Sequence, residues 1–157
     1  MCLSLAVASH FFLRSIEANG QHALKHILIQ TVSGEPMKNQ NENVSNQKVQ
    51  LICKALSDKF ATDIKIVSIA GMSDLADYFV ICSGKSASQV KAIFDHMEEE
   101  AEKAGYFALR KEGMTEGRWI AADYGDVIVH IFHKDTREVY GLDALWNNGT
   151  NVATYEE

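Results

Sequence analysis

The sequence predicts an α/β domain in which a mixed sheet of five strands carries helices packed on it. Three observations predict it. Two segments, Val49 to Phe60 and Val90 to Ala104, place apolar residues at helical i, i+3, i+4 spacing. Short apolar or alternating runs of strand length lie between and after them, at Ile64–Ile69, Tyr78–Cys82, Phe107–Lys111, Arg118–Ala122 and Val127–Phe132. The last two runs flank Asp123-Tyr124-Gly125-Asp126, the turn chemistry of a β-hairpin.

At 157 residues, 46% hydrophobic and 23% charged, the chain is sized for one domain around one core. Texture divides it into an N-terminal extension (1–45), a folded domain (46–147) and a polar C-terminal tail (148–157). Residues 1–36 lack sustained periodicity and end in the breaker-rich Ser33-Gly34-Glu35-Pro36, and residues 37–48 are polar and asparagine-rich, a composition expected of a solvated, poorly ordered lead-in. Gly34-Glu35 can be encoded by a purine-rich run of the kind that precedes a start codon, which makes Met37 a candidate natural start. Peptides from residues 1–36 in the native protein would exclude it.

The elements follow in order. Ser45 or Asn46 offers an N-cap to a first helix whose stripe is Val49, Ile52, Cys53, Leu56 and Phe60, ending near Ala61. Ile64–Ile69 alternates with Lys65 and Ser68 as a strand, and Tyr78–Cys82 is continuously apolar, as in a strand covered on both faces. Gly71 to Asp77 is the loop between them. Ser86, with Gln89 three residues on, forms a capping box for a second helix that buries Val90, Ile93, Phe94, Met97, Ala101 and Ala104 and stops at Gly105. Strand, long helix and Phe107–Lys111 together predict a parallel, right-handed crossover. After a glycine-flanked loop, Glu112–Gly117, the hairpin strands follow. Val127, Val129 and Ile131 share one face and Ile128, His130 and Phe132 the other, the pattern of an internal strand. Leu142, Leu145 and Trp146 mark a short helix before Asn147-Asn148-Gly149.

Composition narrows function. A net charge of −6 excludes a protein that binds by neutralising many phosphates and suits a basic protein partner. Cys2, Cys53 and Cys82 have neither disulfide-framework nor zinc spacing, so reduced thiols in a cytoplasmic setting are expected, with Cys53 and Cys82 in the core. No window approaches the roughly 18 to 20 apolar residues of a membrane span. Leu3–Ala8 has no basic region before it, against a secretory signal, and Arg14 and Lys25 are balanced by Glu17 and Glu35, against a transit peptide.

Chemistry-bearing motifs are few. Ser83-Gly84-Lys85-Ser86 sits between strand and helix like a phosphate loop, but the position five before Gly84 is Phe79, so helix capping is the reading. Asp74 with Asp77 and Asp123 with Asp126 are spaced i, i+3, whereas same-face ligands on a strand are spaced i, i+2; turn chemistry explains them better than a metal. His130 and His133 have no thiol or carboxylate at ligand spacing, and His130 is expected to be a hydrogen-bonded core residue. No cofactor, metal or catalytic set is expected. Trp119, Tyr124, Tyr140, Asp143 and Trp146 are of the types that anchor protein interfaces, with core completion as the alternative for the two tryptophans.

Ala76-Asp77-Tyr78-Phe79-Val80-Ile81, Gly84-Lys85-Ser86 to Gln89-Val90, Glu112-Gly113, Gly117-Arg118-Trp119-Ile120, Asp123 to Phe132, and Arg137, Tyr140, Leu142, Leu145 and Trp146 occur in an order that resembles the Iojap family of ribosomal silencing factors, over residues 49 to 146. The resemblance implies a nucleotidyltransferase-like fold without catalytic carboxylates. It also implies a non-enzymatic protein that binds the large ribosomal subunit through its protein fourteen, blocks joining of the small and large subunits when nutrients are scarce, and is a homodimer when free. A large-subunit assembly factor and, further off, a nucleotidyltransferase-type enzyme are the alternatives. By position, Trp119, Ile120, Tyr140 and Asp143 are implied as the protein-binding residues, with little direct nucleic-acid contact. Ser88 stands where arginine or another polar residue is frequent, and Gly141-Leu142-Asp143 replaces an acidic-Leu-Glu pattern, which puts the acidic contact on a shorter arm. On this reading Trp119→Ala weakens ribosome binding by about 2 kcal/mol or more and leaves the fold intact.

Overall fold

A computed structural model describes the backbone of residues 40–156 and the side chains of residues 44–156. The expectations for residues 1–36, including the start at Met37, lie outside the described residues. The elements are α1 (Gln40–Ser57), β1 (Thr62–Ser68), β2 (Tyr78–Gly84), α2 (Ala87–Lys103), β3 (Arg110–Glu112), β4 (Trp119–Asp123), β5 (Val127–His133), α3 (Lys134–Tyr140), α4 (Leu142–Leu145) and β6 (Val152–Thr154). The strands form one mixed sheet in the order β3-β4-β5-β2-β1-β6, with β2 and β5 parallel and every other neighbouring pair antiparallel.

Strand alternation splits the core into two layers, one on each face of the sheet. Val80 and Cys82 of β2 and Val127, Val129 and Ile131 of β5 meet α1 and α2 through Ile52, Leu56, Ile93, Phe94 and Met97. Phe79, Ile81, Ile128 and Phe132 point the other way, onto Trp119, Leu142 and Trp146. The expected division of β5 into two faces is therefore found, and Cys53 and Cys82 are core thiols, Cys53 pushed by burial up to about 12.

Four expectations change. The sheet has six strands, not five: β6 pairs antiparallel with β1, Ile66 opposite Ala153. It is too short to show a period in sequence, and Asn151 seats it by donating to Ser68 O and Trp146 O, both at 2.9 Å. The strand after α2 starts at Arg110 and is an edge strand on β4, not a neighbour of β2. The apolar β5 takes the place beside β2 because both faces there are buried, and the charged Arg110-Lys111-Glu112 goes to the wet edge.

The first helix begins at Gln40, inside the stretch read as an unordered lead-in, and Ser45 is not its cap but a buried residue in its interior. Ser45 Oγ donates to Asp126 Oδ2 at 2.6 Å, and Lys48 pairs with Asp126 and reaches Tyr124 O at 3.3 Å. The hairpin turn thus holds the polar end of α1. That contact is tertiary and leaves no local signal. At its other end α1 stops at Ser57: Ala61 N donates to Leu56 O and Phe60 N to Ser57 O, closing the helix with Phe60 at φ 59°. Phe60 is consequently 80% exposed and lies outside the apolar stripe in which it was expected.

Burial alone would raise the Asp126 carboxyl, but the hydrogen bonds from Lys48 and Ser45 and the Lys48 charge outweigh it and hold the carboxyl below the usual range. A folded carboxyl with a lowered pKa stabilises the fold above its unfolded value, near 4, and the contribution is lost as pH falls through the folded value. Lys48→Ala should cost about 2 kcal/mol, less than a fully buried pair because Asp126 remains partly solvated. Urea unfolding of both proteins as a function of pH checks this: the gap should be widest near neutrality and narrow below pH of about 4.

Candidate functional site

The face of the sheet away from α1 and α2 carries an aromatic layer that ends at the corner between α3 and α4. Trp119 opens β4 opposite Phe132 of β5, and the register stacks the two rings with centroids 4.6 Å apart and 26° between planes. Tyr140, the last residue of α3, lies against the same indole at 4.9 Å. Trp119 Nε1 donates to His130 Nδ1 at 3.2 Å. His130 is fully buried, and burial pushes its imidazole down to about 3, so it stays neutral and keeps Nδ1 as an acceptor at any physiological pH. Phe79 stands edge-on to His130 at 5.1 Å and to Trp146 at 5.4 Å, which continues the layer toward α4.

His133 ends β5 and caps α3, its Nδ1 accepting from Asp135 N at 3.3 Å. Gly141 then takes φ 54°, closing α3 through its N–H to Arg137 O at 2.9 Å and opening α4. Asp143, in the first turn of α4, accepts from Arg137 Nη2 at 3.0 Å and Lys65 Nζ at 3.2 Å. Burial by itself would raise its carboxyl; the hydrogen bond and charge of Arg137, helped by Lys65, hold it below the usual range.

Of the four residues implied in sequence, the structure brings three to this corner. Trp119 is 5% exposed, Tyr140 is half-buried on top of it, and Asp143 lies on the next turn. Ile120 is not with them: one step along β4 it faces the opposite layer, fully buried under the helices. Trp146 is 1% exposed, so core completion holds for that residue in the isolated chain. Val139, 78% exposed beside Tyr140, and Lys65 were missed. Within α3 the positions three and four before Val139 are Thr136 and Asp135, so no apolar stripe marks it, and Lys65 reaches the corner only through the β1–β2 pairing.

The other motifs do structural work. Ser86 caps α2, accepting from Gln89 N at 3.2 Å, and the Gln89 side chain returns to Lys85 N at 2.7 Å. Gly84 is needed for close packing, since a Cβ there would stand 2.9 Å from Val90 Cγ2. Asp123 Oδ1 accepts from Gly125 N at 2.8 Å, a turn role, and Asp126 is taken up by α1. Among the described residues no group of three His, Cys, Asp or Glu side chains is placed to hold a metal ion, and no helix is long and apolar enough to cross a membrane.

A family model described as "ribosomal silencing factor during starvation" matches residues 42–157. The chain is similar to the ribosomal silencing factor RsfS of Bacillus subtilis, 43% identical over 105 residues covering 66% of this chain and 89% of that one. It is also similar to the chloroplastic protein Iojap of maize, 32% identical over 64% of this chain and 44% of the other. A crystal structure from Bacillus halodurans superposes with a TM-score of 0.61 at 38% identity, covering 71% of this chain and 99% of that chain.

Proposed function

The chain belongs to the family of ribosomal silencing factors, and from that premise we propose that it binds the large ribosomal subunit through its protein fourteen and sterically prevents the small subunit from joining. The observation that carries the reading is the corner itself. Tyr140 sits on the buried Trp119 indole and the exposed Val139 stands beside it, an aromatic and an aliphatic anchor at the edge of the core. Such a contact needs only a standard interface of roughly 1,200 to 2,000 Å² in total. The net charge of −6 favours encounter with a basic ribosomal protein, faster at low salt.

Trp119 supports Tyr140 from beneath, Asp143 fixes the adjoining turn, and Ile120 holds β4 to the helices from the far side. The action is binding rather than catalysis: Asp126 and Asp143 are both engaged by cations of the chain and offer no pair of carboxylates to a metal. Free chains pair as homodimers that cover the same apolar corner, and the place of action is the cytoplasm, where subunits join.

Sedimentation of purified subunits with the protein tests this. Joined ribosomes should fall and the protein should travel with the large subunit; unchanged joining without co-migration would overturn the proposal. Migration with immature large-subunit particles alone would make it an assembly factor. Tyr140→Ala should weaken large-subunit binding by about 2 kcal/mol while costing the free domain about 1 kcal/mol, because the ring is only half-buried. Equilibrium binding alongside urea unfolding separates the two effects.

A further inference from the structure

Arg137 is the residue on which the α3–α4 corner turns. Its side chain is 8% exposed, and its guanidinium is shared among the starts and ends of three other elements. Nη1 donates to Asp63 O at 2.8 Å, at the start of β1, and to Ser83 Oγ at 3.0 Å, at the end of β2. Nη2 donates to Asp143 Oδ2 at 3.0 Å, in α4, and lies 3.1 Å from Asp63 Oδ2. A planar fork can serve four acceptors in fixed directions, which the point charge of a lysine cannot.

Asp143 receives a second cation from Lys65, and its side chain is 18% exposed. A carboxylate countered twice within its own chain shows little net field to an incoming basic partner. The residue between these two ends is Tyr140, three positions after Arg137 and three before Asp143. Gly141 itself is unpacked, since a Cβ added there would meet no atom within 4 Å, so the turn is held from its two sides: by the fully buried Leu142 of α4 and by the Arg137–Asp143 contact across it.

We propose that Arg137 and Asp143 are positioning residues, a brace that holds the α3–Gly141–α4 corner so that Tyr140 meets its partner in one orientation, and that Asp143 is not itself the contact charge. This deepens the docking reading above and rests on it. The gain is preorganisation: a ring already fixed against Trp119 loses less freedom on binding.

The test has two arms. In the free protein, nuclear Overhauser contacts between the Tyr140 and Trp119 rings are measured for the wild type, Arg137→Lys and Asp143→Asn; they should be strong in the first and lost or averaged in Arg137→Lys. Purified large subunits are then titrated with the same proteins in Tyr140 and Tyr140→Ala backgrounds, corrected for folded fraction. Arg137→Lys should weaken binding about tenfold when Tyr140 is present and less than about twofold when it is absent. Asp143→Asn should leave the dependence of affinity on salt unchanged.

Persistent ring contacts in Arg137→Lys, or equal losses in both backgrounds, would overturn the brace. A shallower salt dependence in Asp143→Asn would restore Asp143 as a direct contact and overturn that part. Loss of the ring contacts on substitution, in a protein that never binds large subunits, would retain the brace and remove the docking reading alone.

Discussion

Trp119→Ala is expected to lower the stability of the free domain by about 4 kcal/mol, enough to unfold much of it at 37 °C if the domain has ordinary stability. The indole is 5% exposed, stacks on Phe132 and supports Tyr140. Truncation empties that volume and also removes the N–H that the buried His130 Nδ1 accepts. Trp119→Phe keeps most of the ring contact and should cost about half as much. Denaturant midpoints for the two variants check the pair. The result differs from the expectation drawn from sequence, in which Trp119→Ala spares the fold: the burial of Trp119 makes loss of binding and loss of folding inseparable in that variant, and Tyr140→Ala is the cleaner probe of docking.

Gly113→Ala is expected to cost about 3 kcal/mol or more. A Cβ there would stand 1.8 Å from Trp119 O and 2.9 Å from Trp119 C, and the backbone is at φ 85°. Neither atom can move aside, because both belong to the start of β4. The loop would have to lift from the strand, and it is tied to α2 by Lys91 Nζ donating to Thr115 O at 2.6 Å. Gly105 supplies the control, since it has the same φ of 85° and an added Cβ would meet nothing within 4 Å. Gly105→Ala should therefore lose only the conformational cost, about 1 kcal/mol. Thermal unfolding of the two variants separates the steric from the conformational contribution, and equal losses would contradict the close approach of Gly113 to β4.

The parts of the fold legible in sequence were those whose causes are local. The α2 stripe from Val90 to Ala101, its Ser86 cap and the β4–β5 hairpin depend on residues within a few positions of one another and were found where periodicity put them, whereas Ala104, expected in the stripe, is the exposed C-cap of α2. The two-faced burial of β5 was legible for the same reason. The start of α1, the place of β3 and the existence of β6 depend on distant partners: Asp126 for Ser45 and Lys48, β5 for the seat beside β2, and β1 for Val152–Thr154. The site divided in the same way. Aromatic type and family order pointed to Trp119, Tyr140 and Asp143, whereas alternation along β4 is by itself enough to set Ile120 and Trp119 on opposite layers. Arg137 was visible only as part of the closing segment. Its burial and its four acceptors come from β1, β2 and α4, which sequence spacing does not bring together.

The parallel pairing of β2 with β5 and the antiparallel pairing of β1 with β6 set the order in which this chain can fold. Tyr78 meets Val127 and Ile66 meets Ala153, so the centre of the sheet and one edge both require the closure of long loops. The helices and the β4–β5 hairpin can form early from near neighbours, whereas β1 and β2 are synthesised well before the strands that flank them. If β1 and β2 pair first, the folded order leaves the apolar β2 edge that β5 covers open until β5 is made. A slow, non-local final step is the kinetic signature of this topology.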